Sequence, residues 1–143
     1  MIIKQLSVFV ENRRGRLVSI AETLAKADVD ISALSLADTS DFGVLRLIVD
    51  KPEAAKAALN EEGVVVKITD VVAAVMDDQP GGVAATLRVL QDSDIDVEYM
   101  YACVGKTTGK ALVVIKPSDV SAAEDALTAG GYGAISPSDI YRI

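Results

Sequence analysis

The sequence has no histidine and no tryptophan, and its 143 residues include a single cysteine and only 4% aromatic residues. Without histidine, the usual general base, the Ser-His and Cys-His nucleophile pairs and most zinc sites are unavailable. The single cysteine, Cys103, has no partner in the chain for a disulfide. We therefore expect no catalytic residues, no metal ligands and no cofactor, although these absences leave carboxylate and lysine chemistry open.

Basic residues are also few, because 14 Lys and Arg stand against 21 Asp and Glu and give a net charge of −7. The densest basic cluster is only Arg13, Arg14 and Arg16, so neither nucleic acid nor an anionic membrane is an expected partner. The longest strictly apolar run, residues 71–76, is too short to cross a bilayer. The first residues lack the order of charged and apolar residues of a signal peptide. We therefore expect a cytoplasmic protein.

Half of the residues are hydrophobic, and they recur in a repeat. Val29-Asp30-Ile31 returns 66 positions later as Ile95-Asp96-Val97, and Gly15 and Gly43 meet Gly81 and Gly109 at the same offset. Near the end of each copy the offset becomes 69, where a helix and a turn can absorb insertions. A fixed offset held by both apolar and glycine positions predicts a duplicated unit, with domains at residues 1–69 and 70–143.

Each copy has the periodicity of strand, helix, strand, strand, helix, strand. Predicted strands lie at residues 2–10, 31–37, 44–49 and 64–68, and again at 71–77, 97–104, 110–115 and 134–136. Predicted helices lie at residues 17–24, 53–59, 83–92 and 120–129. This order predicts an α+β fold of two ferredoxin-like βαββαβ units, which pair into one antiparallel sheet with helices on one face. Residues 139–143 resemble the start of a third copy and predict a C-terminal strand over a sheet edge, with a frayed tail as the alternative.

Strand alternation also predicts a surface for self-association. One face of the second strand of each copy would carry Ile31, Ala33, Ser35 and Ala37, or Val97, Tyr99, Tyr101 and Cys103. The helices would cover the opposite face, which bears Leu34, Leu36 and Met100. An uncovered apolar face usually marks an interface, so we expect a homodimer that packs sheet to sheet.

Each first helix comes after a loop with a glycine, Gly15 or Gly81, at the helix start. A glycine there allows a sharp turn and bares backbone N–H groups at a helix N-terminus, where a carboxylate is favoured. A plain strand-to-helix turn is the alternative interpretation of these loops alone.

The two loops, Asn12-Arg13-Arg14-Gly15-Arg16-Leu17 and Gln79-Pro80-Gly81-Gly82-Val83, resemble the N-x-P-G-x-L loop of ACT domains. Val29-Asp30-Ile31 and its copy resemble the entry to that family's second strand. The resemblance implies a tandem ACT-domain regulatory protein that binds a small amino acid between its units and catalyses nothing. It nominates one site of Asn12, Arg14, Gly15, Arg16 and Leu17 with Asp96, Val97 and Glu98. It also nominates a mirror site of Asp78, Gly81, Gly82 and Val83 with Asp30, Ile31 and Ser32.

The chain departs from the family pattern, since Arg14 replaces the usual proline and Asp30 and Asp96 stand where Asn is common. The arginines of the first loop favour a carboxylate, whereas Asp77 and Asp78 in the second repel one, which predicts two unequal sites. Two alternatives stay open. One is a partner protein of an amino-acid-metabolism enzyme that has no ligand of its own. The other is a small enzyme on the same fold.

Overall fold

The computed structural model of the chain describes residues 1–38, 41–103 and 109–141. Contacts within the chain divide them into two units. The N-terminal unit comprises Lys4–Thr69 and Tyr141, and the C-terminal unit comprises Asp70–Ile140 together with Met1–Ile3. The first three residues therefore belong to the unit that is made last.

The N-terminal unit contains strands β1 (Ile2–Glu11), β2 (Ile31–Asp38), β3 (Phe42–Val49) and the first part of β4 (Val66–Asp77), with helices α1 (Arg16–Lys26) and α2 (Pro52–Glu61). The strand order is β2-β3-β1-β4, and β3 pairs antiparallel with both β1 and β2. Pro52 opens α2, where its missing N–H costs no hydrogen bond. The predicted ferredoxin-like order is confirmed for this unit.

The C-terminal unit contains the second part of β4, β5 (Val97–Ala102) and β6 (Lys110–Pro117), with helices α3 (Gly82–Asp92), α4 (Val120–Ala129) and the short α5 (Pro137–Ile140). The strand order is β4-β6-β5, with antiparallel pairing of β6 to both neighbours. Asp119 caps α4 by accepting the N–H of Ala122 at 2.9 Å. The predicted α+β class is confirmed.

The core of each unit lies between its sheet and its helices. In the N-terminal unit the alternate residues Leu6, Val8 and Val10 of β1 pack in one cluster with Leu24 of α1 and Leu59 of α2. The equivalent cluster in the C-terminal unit joins alternate residues of β4 to Leu90 of α3 and Leu127 of α4. Each fully buried leucine contributes about 1.5–3 kcal/mol, so these alternations fix which face of each strand meets the helices.

The predicted strand at residues 134–136 is wrong. Residues 132–136 have no regular structure, and other backbone groups take their place beside β4. The Ala73 N–H donates to the Met1 carbonyl at 2.9 Å, and the Val75 N–H donates to the Tyr132 carbonyl at 3.0 Å. The chain leaves the sheet after Tyr132, where Gly133 and the approaching Pro137 disfavour a strand. The strands predicted at 64–68 and 71–77 are one continuous strand, β4.

The predicted C-terminal strand is also wrong over its described part. Residues 137–140 form the helical turn α5, and residues 142 and 143 lie outside the described residues. The Asp139 carboxylate accepts from the Ser136 N–H at 2.7 Å and from its hydroxyl at 2.6 Å, and the first of these bonds is one half of a helix-opening capping box. These hydrogen bonds hold the pKa of Asp139 below its usual value.

A β-bulge moves the first residue of β2 and of β5 to the face opposite to the predicted one. In β2, Ile31 pairs with Val49 but Ala33 pairs with Ile48, so Ser32 is an extra residue. In β5 the same shift falls at Glu98. The bulge breaks strict alternation and turns Ile31 and Val97 toward the helices, where both pack on the cores.

Only Ile31 and Val97 leave the face predicted to be open, because Leu34, Leu36 and Met100 lie on the helix side as predicted. Ala33 is completely buried, and Tyr99 and Tyr101 are half-buried within one chain. Leu34 and Leu36, predicted to lie under helices, are on the helix side of the sheet but remain 53% and 46% exposed. The homodimer that packs sheet to sheet stays a prediction.

Candidate ligand-binding site

The loop from β1 to α1 places free amide groups at a helix start. Gly15 has φ 87° and ψ −10°, a left-handed conformation that glycine adopts without strain, and it caps α1 by accepting the Ser19 N–H at 3.1 Å. Among the described residues no acceptor is found for the N–H groups of Leu17 and Val18. Two donors at the positive end of the helix dipole thus face outward, as an anion requires.

Arginines surround this helix start. The Arg13 Nε lies 3.0 Å from the Glu11 Oε2, so that pair is internally balanced. Arg14 is exposed. Arg16 is half-buried, and its Nε is buried without a hydrogen-bond partner among the residues described. The loop keeps a positive excess from Arg14 and Arg16, as the sequence predicted, although Arg13 contributes little to it.

The second nominated segment of the same unit, Asp30 to Ser32, lies at the other end of β3. The Asn12 N–H donates to the Asp41 carbonyl just before β3. Just after β3, the Asp50 N–H donates to the Asp30 carbonyl, and the Asp30 N–H donates to the Asp50 carboxylate. The eight residues of β3 separate these ends by about 25 Å. Within one unit, loop and strand entry therefore do not converge on one ligand. The Ser32 hydroxyl is buried without a partner among the described residues.

The equivalent loop of the C-terminal unit has the same backbone and the opposite charge. Gly81 has φ 89° and ψ −10° and accepts the Ala85 N–H at 2.9 Å. Gly82 is needed for space, because a Cβ there would lie 2.1 Å from the Asp77 carbonyl oxygen. Lys110 forms an ion pair with Asp77, which leaves Asp78 as the uncompensated charge. Val83 is exposed at the start of α3.

The entry to β5 borders an open cleft of about 480 Å³ whose lining includes Leu87, Gln91, Asp94, Asp96 and Val97. The carboxylates of Asp94 and Asp96 have no cationic partner among the described residues. Glu98, also nominated, lies 3.5 Å from the Lys116 Nζ. This entry therefore offers uncompensated negative charge to an ammonium group.

At the corresponding entry of the N-terminal unit, a lysine neutralises Asp28 and leaves the negative charge of Asp30. The Lys51 Nζ lies 2.8 Å from the Asp28 Oδ2, and its hydrogen bond and charge lower the pKa of Asp28. Asp28 and Asp94 occupy equivalent positions 66 residues apart, and Pro117 stands where Lys51 does. The two strand entries therefore differ in charge as the two loops do.

Two cavities of the N-terminal unit involve residues that sequence reasoning missed. A pocket of about 60 Å³, the head pocket, is lined by Glu11, Asn12, Arg13, Leu17, Leu36 and Gly43. A trough of about 240 Å³, the aliphatic groove, runs between α1 and β2 and is lined by Leu17, Ile31, Leu34, Leu36, Leu45 and Leu47, among others. The sequence signal for the groove is the pair of alternate leucines on β2, Leu34 and Leu36. Strict strand alternation assigns this pair to a covered face.

A family model described as an ACT domain pair matches residues 1–131. The chain belongs to the ACT domain pair family. The protein BT0572 from Bacteroides thetaiotaomicron, whose crystal structure is known, is 38% identical to this ACT domain pair, with a TM-score of 0.91 and coverage of 100% of this chain and 98% of that one. No curated protein matches the chain.

More distant structures share the fold. The regulatory subunit of aspartate kinase from Thermus thermophilus is 11% identical, with a TM-score of 0.65 and coverage of 91% of this ACT domain pair and 97% of that chain. The regulatory subunit from Thermus flavus is 14% identical, with a TM-score of 0.64 over 92% and 95% of the two chains. These likenesses show that the complete two-unit fold recurs in a chain of similar length.

The ACT domain is a regulatory domain, and the tandem, ferredoxin-like arrangement predicted from the sequence is that of the family. Within residues 1–38, 41–103 and 109–141, no group of three or more carboxylate or thiol side chains is placed to hold a metal ion. No helix of the described chain is long and apolar enough to span a membrane.

Proposed function

We propose that this ACT domain pair is a non-catalytic regulatory protein that binds a small amino acid. One site would use Asn12, Arg14, Gly15, Arg16 and Leu17 with Asp96, Val97 and Glu98. The mirror site would use Asp78, Gly81, Gly82 and Val83 with Asp30, Ile31 and Ser32. Family membership supports amino-acid sensing in general, and the charges of the segments support the first of these two sites.

The observation that carries the proposal is the opposite charge of two segments. The β1–α1 loop presents two free amide N–H groups with the positive excess of Arg14 and Arg16. The entry to β5 presents the uncompensated carboxylates of Asp94 and Asp96. An α-amino acid is a zwitterion, so a carboxylate partner and an ammonium partner are both required.

The mirror site lacks this complementarity. Asp78 lies in its loop, and Asp30 lies at its strand entry, so both segments carry negative charge. A carboxylate there meets like charge, which costs free energy even after partial screening. We therefore propose one tight amino-acid site for each chain, with the mirror site binding weakly.

Isothermal titration calorimetry with each of the twenty amino acids tests the proposal. A thermal-shift screen identifies the ligand first, because a ligand at 100 times its Kd adds about 2.7 kcal/mol of stability. The variants Arg14→Glu and Arg16→Glu should each weaken binding about 10- to 100-fold, since a hydrogen bond to a charged group contributes about 1.5–3 kcal/mol. Arg88→Glu, an equal charge reversal on the exposed face of α3, is the matched control.

Unchanged affinity in both loop variants would refute the assigned site. Failure of every amino acid to shift the unfolding temperature would instead favour a partner protein with no ligand of its own. Turnover of any amino acid would favour an enzyme.

We further propose that ligand binding acts through an enzyme of amino-acid metabolism or through a change in oligomeric state. Either output requires different ligand affinities in two states. Light scattering at micromolar concentration, with and without ligand, tests the homodimer. A strict monomer under both conditions would contradict it.

A further inference from the structure

Two of the cavities in the N-terminal unit adjoin each other. Leu17, at the start of α1, and Leu36, near the end of β2, line both the head pocket and the aliphatic groove. A single small molecule can therefore place one end in the head pocket and extend the other along the groove. The C-terminal unit has Val83 and Ala102 at the two equivalent positions, so the shared walls are shorter there.

The head pocket has charges of both signs. The Arg13 Nε and the Glu11 Oε2 lie 3.0 Å apart, and both side chains line the pocket together with Asn12. Both are substantially exposed, at 69% and 49% of their side-chain surface, so their ion pair contributes little to stability and can open toward a ligand. A guanidinium beside a carboxylate complements the carboxylate and ammonium of a zwitterionic α-amino acid.

The aliphatic groove determines which side chain can extend from that head group. Its wall includes Leu34 at 53% exposure and Leu36 at 46%, two leucines on the helix side of the sheet that α1 leaves uncovered. A ligand that covers these side chains removes apolar area from water. This burial favours the binding of an aliphatic side chain and contributes nothing to the binding of a polar one. Its volume of about 240 Å³ accommodates a branched side chain.

We propose that the N-terminal unit alone holds a site for a large aliphatic α-amino acid, of the class of leucine, isoleucine and valine. Arg13, Asn12 and Glu11 hold its carboxylate and ammonium groups. Leu17, Leu34 and Leu36 hold its side chain. This inference rests on the proposed amino-acid-binding function and names its ligand class. It is an alternative to the assignment of the ligand to Arg14, Arg16 and Asp96, because it places all of the binding residues in one unit.

Comparison of the two copies explains why only the N-terminal unit has the residues for this site. Asp77, Asp78 and Gln79 stand at the positions of Glu11, Asn12 and Arg13, so the second loop offers no guanidinium. Asp77 is held instead by Lys110, which comes from β6. The stoichiometry expected is therefore one aliphatic amino acid for each chain.

Calorimetry with leucine, valine and serine on the full chain measures the preference. Leucine should bind roughly 10- to 100-fold more tightly than serine, which is the ratio expected for burying one leucine-sized side chain. The keto acid of leucine, which lacks the ammonium group, and a short fatty acid should both bind more weakly than leucine. Equal affinity for serine and leucine would overturn the proposal, and so would tighter binding of the fatty acid.

Two variants locate the site. Leu36→Ala removes the wall that both cavities share and should weaken leucine binding at least 10-fold. Gly43→Ala narrows the head pocket, because its Cβ would lie 3.2 Å from the Leu36 Cδ1 in a backbone conformation that alanine adopts readily. Val65→Ala is the matched control, since Val65 is an aliphatic side chain of 64% exposure outside both cavities.

Leucine affinity that is unchanged in both variants overturns the proposal. If affinity then depends on Arg14 and Asp96, amino-acid binding stands and only its location and class are wrong. If no amino acid binds wild-type protein at all, the proposed function fails first. If Leu36→Ala alters only the oligomeric state in light scattering, the groove is a surface for a second copy, and the ligand site is refuted.

Discussion

Replacement of Gly82 by alanine tests whether the β4–α3 loop has space for a Cβ atom at this position. The added Cβ would lie 2.1 Å from the Asp77 carbonyl oxygen and 3.3 Å from its carbonyl carbon. Both atoms belong to the backbone at the end of β4, so no side-chain rotation can relieve the contact. The strand end and the helix start would have to separate by about 1 Å to reach a normal contact distance.

The expected loss is at least about 3 kcal/mol, at the upper limit for overpacking a core, because backbone rather than side chain must move. Gly15→Ala is a comparison in which backbone strain acts without the steric contact. No atom of the described residues lies within 4 Å of that Cβ, and the φ of +87° is what opposes it, so about 1–2 kcal/mol of backbone strain is expected. Arg16→Ala, at the position equivalent to Gly82, should change stability least, because a Cβ is already present there.

Urea denaturation followed by far-UV circular dichroism measures all three variants against wild type. Scanning calorimetry should show Gly82→Ala lowering the unfolding temperature of its own unit by roughly 10–20 °C. A Gly82→Ala protein within 1 kcal/mol of wild type would refute the steric argument. The same conclusion would hold if Gly15→Ala were the more damaging substitution.

Two further predictions concern residues outside the proposed sites. Burial raises the pKa of Cys103 from its ordinary 9.0 to about 11, so iodoacetamide at pH 9 should alkylate native protein about 50-fold more slowly than urea-unfolded protein. The neutral thiol stabilises the fold fully below pH 9, and this contribution is lost as pH rises toward 11; equal alkylation rates would contradict the burial. Ile3→Ala should cost about 2–5 kcal/mol because Ile3 is 5% exposed, whereas Ile2→Ala, at 38% exposure, should cost well under half as much. Similar urea midpoints for these two variants would show that the first residues do not pack on the C-terminal unit.

Much of the fold could be predicted from periodicity. The repeat of Gly15 at Gly81 predicted both helix starts, since only glycine adopts a φ near +88° without strain. The alternation of Leu6, Val8 and Val10 predicted the buried face of β1 correctly. Short-range patterns succeed at such positions because the local backbone and one buried face decide the structure.

Long-range pairing was not predictable in the same way. The sequence of residues 134–136 does not indicate that the backbone of Met1, and not a strand at 134–136, lies beside Ala73. The bulges at Ser32 and Glu98 were not predicted either, because the alternation of apolar and polar residues does not reveal an inserted residue. That single insertion moved Ile31 to the helix side, beside Leu34 and Leu36. The sequence placed these two leucines on that side correctly, but it could not show that α1 leaves them exposed.

The charges of the candidate site were predicted correctly in sign but not in pairing. Three arginines in one loop and two aspartates in the other predicted their contrast. The sequence could not show that Arg13 is balanced by Glu11 or that Asp77 is held by Lys110. Those pairs join residues that only the fold brings together, and they decide which charges remain for a ligand.

Met1–Ile3 belong to the C-terminal unit, and this has a consequence for folding during synthesis on the ribosome. The N-terminal unit has all of its strands once the first part of β4 has emerged, and it can fold while translation continues. Met1–Ile3 must then wait for β4 to be completed, with Ile3 exposed in the meantime. Two genes each encoding one copy would therefore not reproduce this protein. The duplication has made the last half of the polypeptide depend on its first three residues.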